Sequence, residues 1–137
     1  MVAQSTLRLN PKKRGVHLIT PKIKSSLPPL PKRGLVNIFL KHTSCSLAIN
    51  ENYDPDVRGD VERFLSFLIP DGWSGFRHTL EGADDMPAHL KNIFIGSSLT
   101  IPIVNYSLGL GTWQGIYLLE HRDFGSSREL IITVCGE

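Results

Sequence analysis

Runs of β-branched and apolar residues recur along this chain and are interrupted by only a few helical patterns. Leu35–Lys41 is the strongest of these runs, and its composition is typical of a strand. The other candidate strands lie around Leu7 and Leu9 and at Val16–Ile19, Ser46–Asn50, Leu99–Val104, Trp113–His121 and Glu129–Cys135. The chain is therefore expected to build its core on β-sheet.

Three stretches carry the signals of helices. The pair Asp54-Pro55 predicts the start of the clearest one, and apolar residues then follow at helical spacing: Val57, Val61, Phe64, Leu65 and Leu68. Thr20-Pro21 predicts a shorter first helix, and a third is expected to begin near Asp85 and to stop at Gly96. Strands interspersed with two or three helices, mostly linked as hairpins, predict an α+β fold.

The length of 137 residues fits a single domain, residues 1–137, because 41% of the residues are hydrophobic and supply one core. No apolar run is long enough to span a bilayer, so no membrane partner is expected. The N-terminus also lacks the uninterrupted apolar stretch of a secretory signal. The two cysteines, Cys45 and Cys135, are too few for a disulfide-stapled secreted domain, which indicates reduced thiols and a cytoplasmic location.

Charge is distributed unevenly along the chain. The first fifty residues carry nine Lys or Arg and no acid, whereas residues 51–85 carry nine acids. Such a split can indicate an anionic partner such as nucleic acid or phosphate. No basic run is interleaved with stacking aromatics, so nucleic acid is not expected. The basic half is expected to meet acidic surface, within the chain or on a neighbouring subunit.

Three histidines and two acids form the first group of candidate site residues. His42 follows the strand Leu35–Lys41, where it is either a satisfied core group or a site residue. His78 and His89 flank an acidic segment that contains Asp84 and Asp85. The three imidazoles could hold zinc with a fourth position open, or the acids could hold magnesium through oxygen ligands. An acidic loop that caps a helix start is the third interpretation.

A second candidate group comes from the C-terminal third. Glu120 lies on a largely apolar face of its predicted strand, where an unpaired carboxylate is costly. Arg128, across the predicted hairpin, is its natural partner, and the pair is either structural or lines a pocket. Trp113 and Gln114 follow two glycines that let the backbone approach a ligand closely. A tryptophan in such a setting is most often part of the core.

Four blocks of sequence then point to a known family: HTSCSLAINENYDPDVRGD (42–60), EGADDMPAHL (81–90), IGSSLTIPI (95–103) and GTWQGIYLLEHRD (111–123). In this order they resemble the YjbQ-type secondary thiamine-phosphate synthase family, and the resemblance covers nearly the whole chain. One departure is the segment 105–107, Asn-Tyr-Ser, where many relatives carry a glycine. That difference bears on the rim of any pocket there.

The resemblance implies a compact, single-domain, sandwich-like α+β fold assembled as a homotrimer. It also implies a weak transferase activity on a small phosphorylated substrate. That reaction joins a pyrimidine pyrophosphate to a thiazole phosphate and releases pyrophosphate. Two alternatives remain open, namely a trimeric metal- or ligand-binding protein without significant turnover and a metal-dependent hydrolase.

The site residues expected under this resemblance fall into three sets. The histidines look like a shared polar or metal-binding site, with the candidate metal ligands His42, His78 and His89. The catalytic candidates are His42, His89 and Glu120. The substrate-binding candidates are Ser44, Asn50, Asp84, Asp85, Trp113, Gln114 and Arg128.

Overall fold

A computed structural model describes residues 1–137, and it contains eight strands and three helices. In chain order the elements are β1 (Val2–Leu9), β2 (Lys13–Leu18), α1 (Thr20–Ser26), β3 (Arg33–Leu40), β4 (Cys45–Glu51), α2 (Pro55–Leu68), α3 (Asp85–Ile95), β5 (Ser98–Val104), β6 (Ser107–Leu108), β7 (Gln114–Phe124) and β8 (Arg128–Gly136). The expected α+β fold is confirmed.

The strands form two antiparallel sheets. The five-stranded sheet has the order β1-β8-β3-β5-β6, and the three-stranded sheet has the order β2-β7-β4. One hydrophobic cluster of fifteen buried residues takes members from both sheets. On β8 the buried residues alternate with half-buried ones, as expected for a strand with one face on the core, and they include Leu130, Ile132 and Val134.

Local signals in the sequence place the helix ends correctly. The side chain of Asp54 accepts a hydrogen bond from the backbone N–H of Asp56 at 2.9 Å and so caps α2. Helix α3 ends at Gly96, whose φ of 104° is a conformation that favours glycine. No helix of the protein is both long and apolar enough to cross a membrane.

The apolar stripe of α2 is less covered than its pattern predicts. No residue of this helix is fully buried. Val57, Val61 and Leu65 are half-buried, whereas 61% of Phe64 and 58% of Leu68 remain exposed. Helical spacing predicts the apolar face of α2 correctly, but within one chain the rest of the protein covers only part of that face.

Two further expectations were wrong, and one short strand was not predicted. β7 and β8 do not form a hairpin, because they belong to different sheets and the chain crosses between the sheets at residues 125–127. Trp113 is 58% exposed rather than part of the core. The short strand β6 was not expected, and it follows a turn in which Asn105 and Tyr106 both have positive φ.

Candidate functional site

Helix α3 places two of the candidate ligands on one face. Asp85 and His89 are four residues apart and therefore neighbours along the helix surface. His78 joins them from the loop that precedes the helix. Nε2 of His78 lies 2.7 Å from Oδ2 of Asp85, and Nε2 of His89 lies 3.0 Å from the same oxygen. The ligand atoms of all three residues lie within 4.8 Å of one another.

The ring of His89 is fixed by its second nitrogen. Nδ1 is 2.8 Å from the carbonyl oxygen of Thr43, and since a carbonyl only accepts, Nδ1 carries a proton. In the neutral ring Nε2 then presents a lone pair to the carboxylate of Asp85. Two lone pairs repel at 3.0 Å, so the arrangement requires either a second proton or a cation. Two imidazoles and one carboxylate are also a donor set that suits a divalent metal ion, and the backbone of Thr43 orients one of these ligands.

The cluster is accessible to a ligand. Only 2% of the Asp85 side chain is exposed, but 42% of His78 and 28% of His89 are. A depression of about 300 Å³ lies beside His78 and includes Trp73 and Phe76. A second depression, of about 340 Å³, lies beside His89. A bound metal would thus keep positions open toward solvent.

Arg122 orients the central carboxylate. Its Nη1 donates to Oδ1 of Asp85 at 2.7 Å, and its Nε donates to Oδ2 of Asp84 at 2.9 Å. This contact occupies one oxygen of Asp85 and leaves the other for the histidines. Arg122 was not among the site residues predicted from the sequence. The available signal was the run of acids at 81–85, which needs a cation when it packs on the fold.

The two neighbouring acids have different roles. Burial would raise the pKa of Asp85, but the hydrogen bond from His78 and the charges of His89 and Arg122 outweigh it and lower the pKa. The pKa of Asp84 is likewise lowered, because the backbone N–H of Asp123 and the side chain of Arg122 outweigh its burial. Oδ2 of Asp84 is committed to these two donors. Asp85 alone belongs to the group with metal-ligand geometry.

His42 is not part of this group. Its Nε2 accepts a hydrogen bond from the backbone N–H of Glu129 at 2.8 Å, at the start of β8. Burial and the charge of Arg128 lower its pKa. The predicted cluster of three histidines is thus replaced within one chain by two histidines and Asp85.

The predicted pairing of Glu120 with Arg128 is confirmed, although it joins the two sheets rather than two strands of a hairpin. Nε of Arg128 donates to Oε1 of Glu120 at 2.7 Å and Nη2 donates to Oε2 at 2.5 Å. Nη2 also reaches the hydroxyl of Ser44 at 3.0 Å. The side chains are 0% and 5% exposed. A Cβ at Gly125 would lie 1.9 Å from Oε1 of Glu120, so only glycine lets the backbone pack this closely against the carboxylate.

The remaining candidates lie elsewhere. Trp113 packs edge-on against Tyr53 at the surface, with ring centroids 5.4 Å apart. Gln114 borders a cavity of about 440 Å³ at the opposite end of β7 from Glu120. Gln114 and Glu120 are six positions apart along the strand, which is roughly 20 Å. Asn50 borders another cavity, beneath α2. Within one chain, none of these residues joins the histidine cluster.

Comparison with known proteins places the chain in a family. A family model described as UPF0047 protein YjbQ-like matches residues 5–137. The chain belongs to this family. The UPF0047 protein YjbQ of Escherichia coli O157:H7 is 48% identical over 136 residues, which is 98% of each chain. Another relative, UPF0047 protein MJ1081 of Methanocaldococcus jannaschii, is 42% identical and covers 87% of this chain and 83% of its own length.

Solved structures agree with this membership. A conserved hypothetical protein from Thermus thermophilus is 33% identical and superposes with a TM-score of 0.85. That match covers 96% of this chain and 99% of the other. The protein is therefore a YjbQ-like member with the fold of its solved relatives.

Proposed function

We propose that the protein binds a divalent metal ion through His78, Asp85 and His89 and uses it in a thiamine-phosphate synthase-type transfer. The observation that carries the metal proposal is the approach of two imidazole nitrogens to one carboxylate oxygen, at 2.7 and 3.0 Å. Two histidines and one carboxylate are a known ligand set that leaves coordination positions free. Imidazole and carboxylate together suit zinc, and also iron or manganese.

A metal held there would neutralise charge on a pyrophosphate leaving group and so stabilise the transition state of the transfer. The chain's own residues hold the ligands in place. Arg122 fixes one oxygen of Asp85, and the carbonyl of Thr43 fixes the ring of His89. The depressions beside the two histidines provide room for a small phosphorylated substrate.

The transferase part of the proposal rests on the sequence resemblance and on this division of roles. We assign Glu120 and Arg128 a structural role, because their charges are buried and pair with each other. Cys45 is also structural, since burial raises its pKa to about 12 and keeps the thiol protonated. A reduced, buried thiol is in keeping with a cytoplasmic location.

We further propose that the protein is a homotrimer. Five large apolar residues on α2 and α3 are 58–78% exposed: Phe64, Phe67, Leu68, Ile93 and Phe94. Exposed apolar residues grouped on two elements are typical of a protein–protein interface. Light scattering should give three times the chain mass of 15.3 kDa. A monomer at micromolar concentration would contradict this assembly.

Metal binding is tested by calorimetric titration of zinc, manganese and magnesium into the purified protein. Asp85→Asn and His89→Ala should each lower the affinity for the preferred metal by at least about tenfold, as loss of a ligand exceeds loss of an outer partner. His17→Ala and Asp60→Asn are matched controls, because His17 and Asp60 lie outside the cluster. Equal affinity in all five proteins would refute the metal centre.

The transferase reaction is tested with the same folded proteins, a pyrimidine pyrophosphate and a thiazole phosphate. Product formation should fall about 10²–10³-fold in Asp85→Asn, as it does when a charge-stabilising group is removed from other enzymes. No product from the metal-loaded parent would favour a binding protein. Release of pyrophosphate without the thiazole phosphate would favour the hydrolase.

A further inference from the structure

A separate cavity lies between α2 and the three-stranded sheet. Its volume is about 200 Å³, and eight of its eleven lining residues are hydrophobic. The helix contributes Val57, Val61 and Leu65, while the sheet contributes Leu119 and its neighbours. None of the residues of the metal cluster lines it. The cavity exists because α2 is only half-packed on the sheet, with no fully buried residue.

The cavity contains one cationic side chain, Arg58. Its Nε is buried and has no hydrogen-bond partner in the protein. Arg58 also takes part in none of the ion pairs of the molecule. In contrast, Arg14, Arg122 and Arg128 each bind a carboxylate at 2.9 Å or less. The Nε of this half-buried guanidinium is shielded from water and has no partner, so an anion in the cavity would stabilise it.

Two polar residues that line the same cavity, Tyr117 and Glu51, do not serve as that anion. The hydroxyl of Tyr117 donates to the backbone carbonyl of Glu51 at 2.7 Å. The carboxylate of Glu51 accepts from the backbone N–H of Asp54 at 3.1 and 3.2 Å. It therefore faces the start of α2 and forms no ion pair with Arg58. The charge of Arg58 is therefore not balanced by these groups, and most of the cavity wall is apolar.

We propose that this cavity binds a small carboxylic acid whose apolar body lies between α2 and the sheet and whose carboxylate pairs with Arg58. A guanidinium binds a carboxylate through two parallel hydrogen bonds. One arginine balances one negative charge, which favours a carboxylate over a doubly charged phosphate monoester. Drug-sized ligands need about 300 Å³ or more, so the cavity suits a smaller molecule. Hexanoate and benzoate are of the right size.

The experiment titrates hexanoate into ¹⁵N-labelled full-length protein and follows amide chemical shifts. Saturable shifts are expected at Ala48, Val57, Val61 and Leu119. Arg58→Gln should weaken hexanoate binding at least about tenfold, in line with loss of a charge-assisted pair. Hexanol, which has the same body without the charge, should bind parent and variant equally. Far-ultraviolet circular dichroism would establish that the variant is folded.

Arg63→Gln is the matched control, because Arg63 lies on the same helix but is 71% exposed and pairs with Asp60. It should bind hexanoate like the parent. Ala48→Leu, which fills the cavity, should abolish binding of both hexanoate and hexanol. The proposal fails if Arg58→Gln and Arg63→Gln bind hexanoate equally. It also fails if hexyl phosphate binds more tightly than hexanoate, or if millimolar hexanoate causes no saturable shifts. His89→Ala should still bind hexanoate, so the result is independent of the metal centre.

Discussion

Two charged clusters lie near the end of β7, and they are built in opposite ways. At Glu120 a single guanidinium, that of Arg128, takes both carboxylate oxygens, and both side chains are almost completely buried. At Asp85 the guanidinium of Arg122 takes one oxygen, and the other faces two partly exposed imidazoles. Both carboxylates are buried, so burial alone does not distinguish an acid in a closed ion pair from a candidate metal ligand. The difference lies in the partners of the carboxylate oxygens. Both oxygens of Glu120 bind Arg128, whereas Oδ2 of Asp85 faces the rings of His78 and His89.

Arg128→Ala should have the largest effect on stability. It leaves the charge of Glu120 buried and unpaired, and breaking such a pair typically costs about 3–5 kcal/mol. The free energy of unfolding, from urea titration, should fall by that amount. The matched control is Arg8→Ala, because Arg8 is 70% exposed and pairs with Glu129 at the surface. An exposed pair contributes about 1 kcal/mol or less.

The double variant Arg128→Met with Glu120→Leu gives the second half of this test. Replacing both charges by apolar groups removes the unpaired carboxylate and should recover most of the lost stability. If Arg128→Ala were no more damaging than Arg8→Ala, the pair would be solvated in solution. The Glu120 cluster would then be as accessible to solvent as the Asp85 cluster, and the contrast between them would no longer hold.

The fold could be predicted from the sequence wherever local chemistry decides it. The cap at Asp54, the stop at Gly96 and the alternation in β8 are properties of neighbouring residues. The pairing of Glu120 with Arg128 could also be predicted, because an unpaired charge on a buried face is costly. That the two strands lie in different sheets could not, since the short connection at 125–127 allows a hairpin or a crossing.

The site was harder to predict because one of its ligands, His78, comes from a loop. His78 and Asp85 meet through the path of the loop 71–84, which no periodic pattern describes. His42 was predicted to be the third ligand, but its Nε2 instead accepts a hydrogen bond from the backbone N–H of Glu129. Arg122 was missed because β7 extends beyond the predicted strand end, to Phe124. Side-chain direction there depends on packing against α3 rather than on sequence.

Arg122→Met should lower metal affinity about 10–100-fold, the usual effect of removing a group that positions a metal ligand. Without the guanidinium, Oδ1 of Asp85 is free and the carboxylate can rotate away from the histidines. Arg122→Lys restores a charge but not the two-point contact, so it should recover only part of the affinity. Calorimetry on folded protein measures both. A structural role alone would lower stability in Arg122→Met and leave metal affinity unchanged.

His121, between the two clusters on β7, should make stability depend on pH. Burial and the charges of Lys91 and Arg128 lower its pKa to about 3. The folded protein therefore keeps this ring neutral, while the unfolded chain takes up a proton below about pH 6.5. The contribution of His121 to the free energy of unfolding is fully present above that pH. It is lost as the pH falls toward 3, at no more than about 1.4 kcal/mol per pH unit.

The measurement compares urea unfolding of the parent and of His121→Asn between pH 6.5 and pH 5. Most carboxylates remain ionised in this range, so histidines dominate the slope. The parent should lose stability more steeply than the variant, which keeps a polar group for the hydroxyl of Ser46. Equal pH dependence of the unfolding free energy in parent and variant would mean that His121 is protonated or solvated in the folded state. The region around Glu120 and Arg128 would then be more hydrated than its geometry indicates.

The smallest effect is expected from His42→Asn. Nε2 of His42 accepts from the backbone of Glu129, and its pKa is lowered by burial and by Arg128, so it belongs electrostatically to the buried cluster. Substitutions at separate sites add with an error of about 0.5 kcal/mol or less, so metal affinity should change by no more than about two- to threefold. The variant should instead lower stability by about 1 kcal/mol, through loss of one hydrogen bond to a backbone N–H. A tenfold or greater loss of metal affinity in folded His42→Asn would bring His42 into the metal centre. Because its Nε2 is committed within the chain, that result would require Nδ1 to reach the metal, either after rearrangement of the cluster or across a subunit interface.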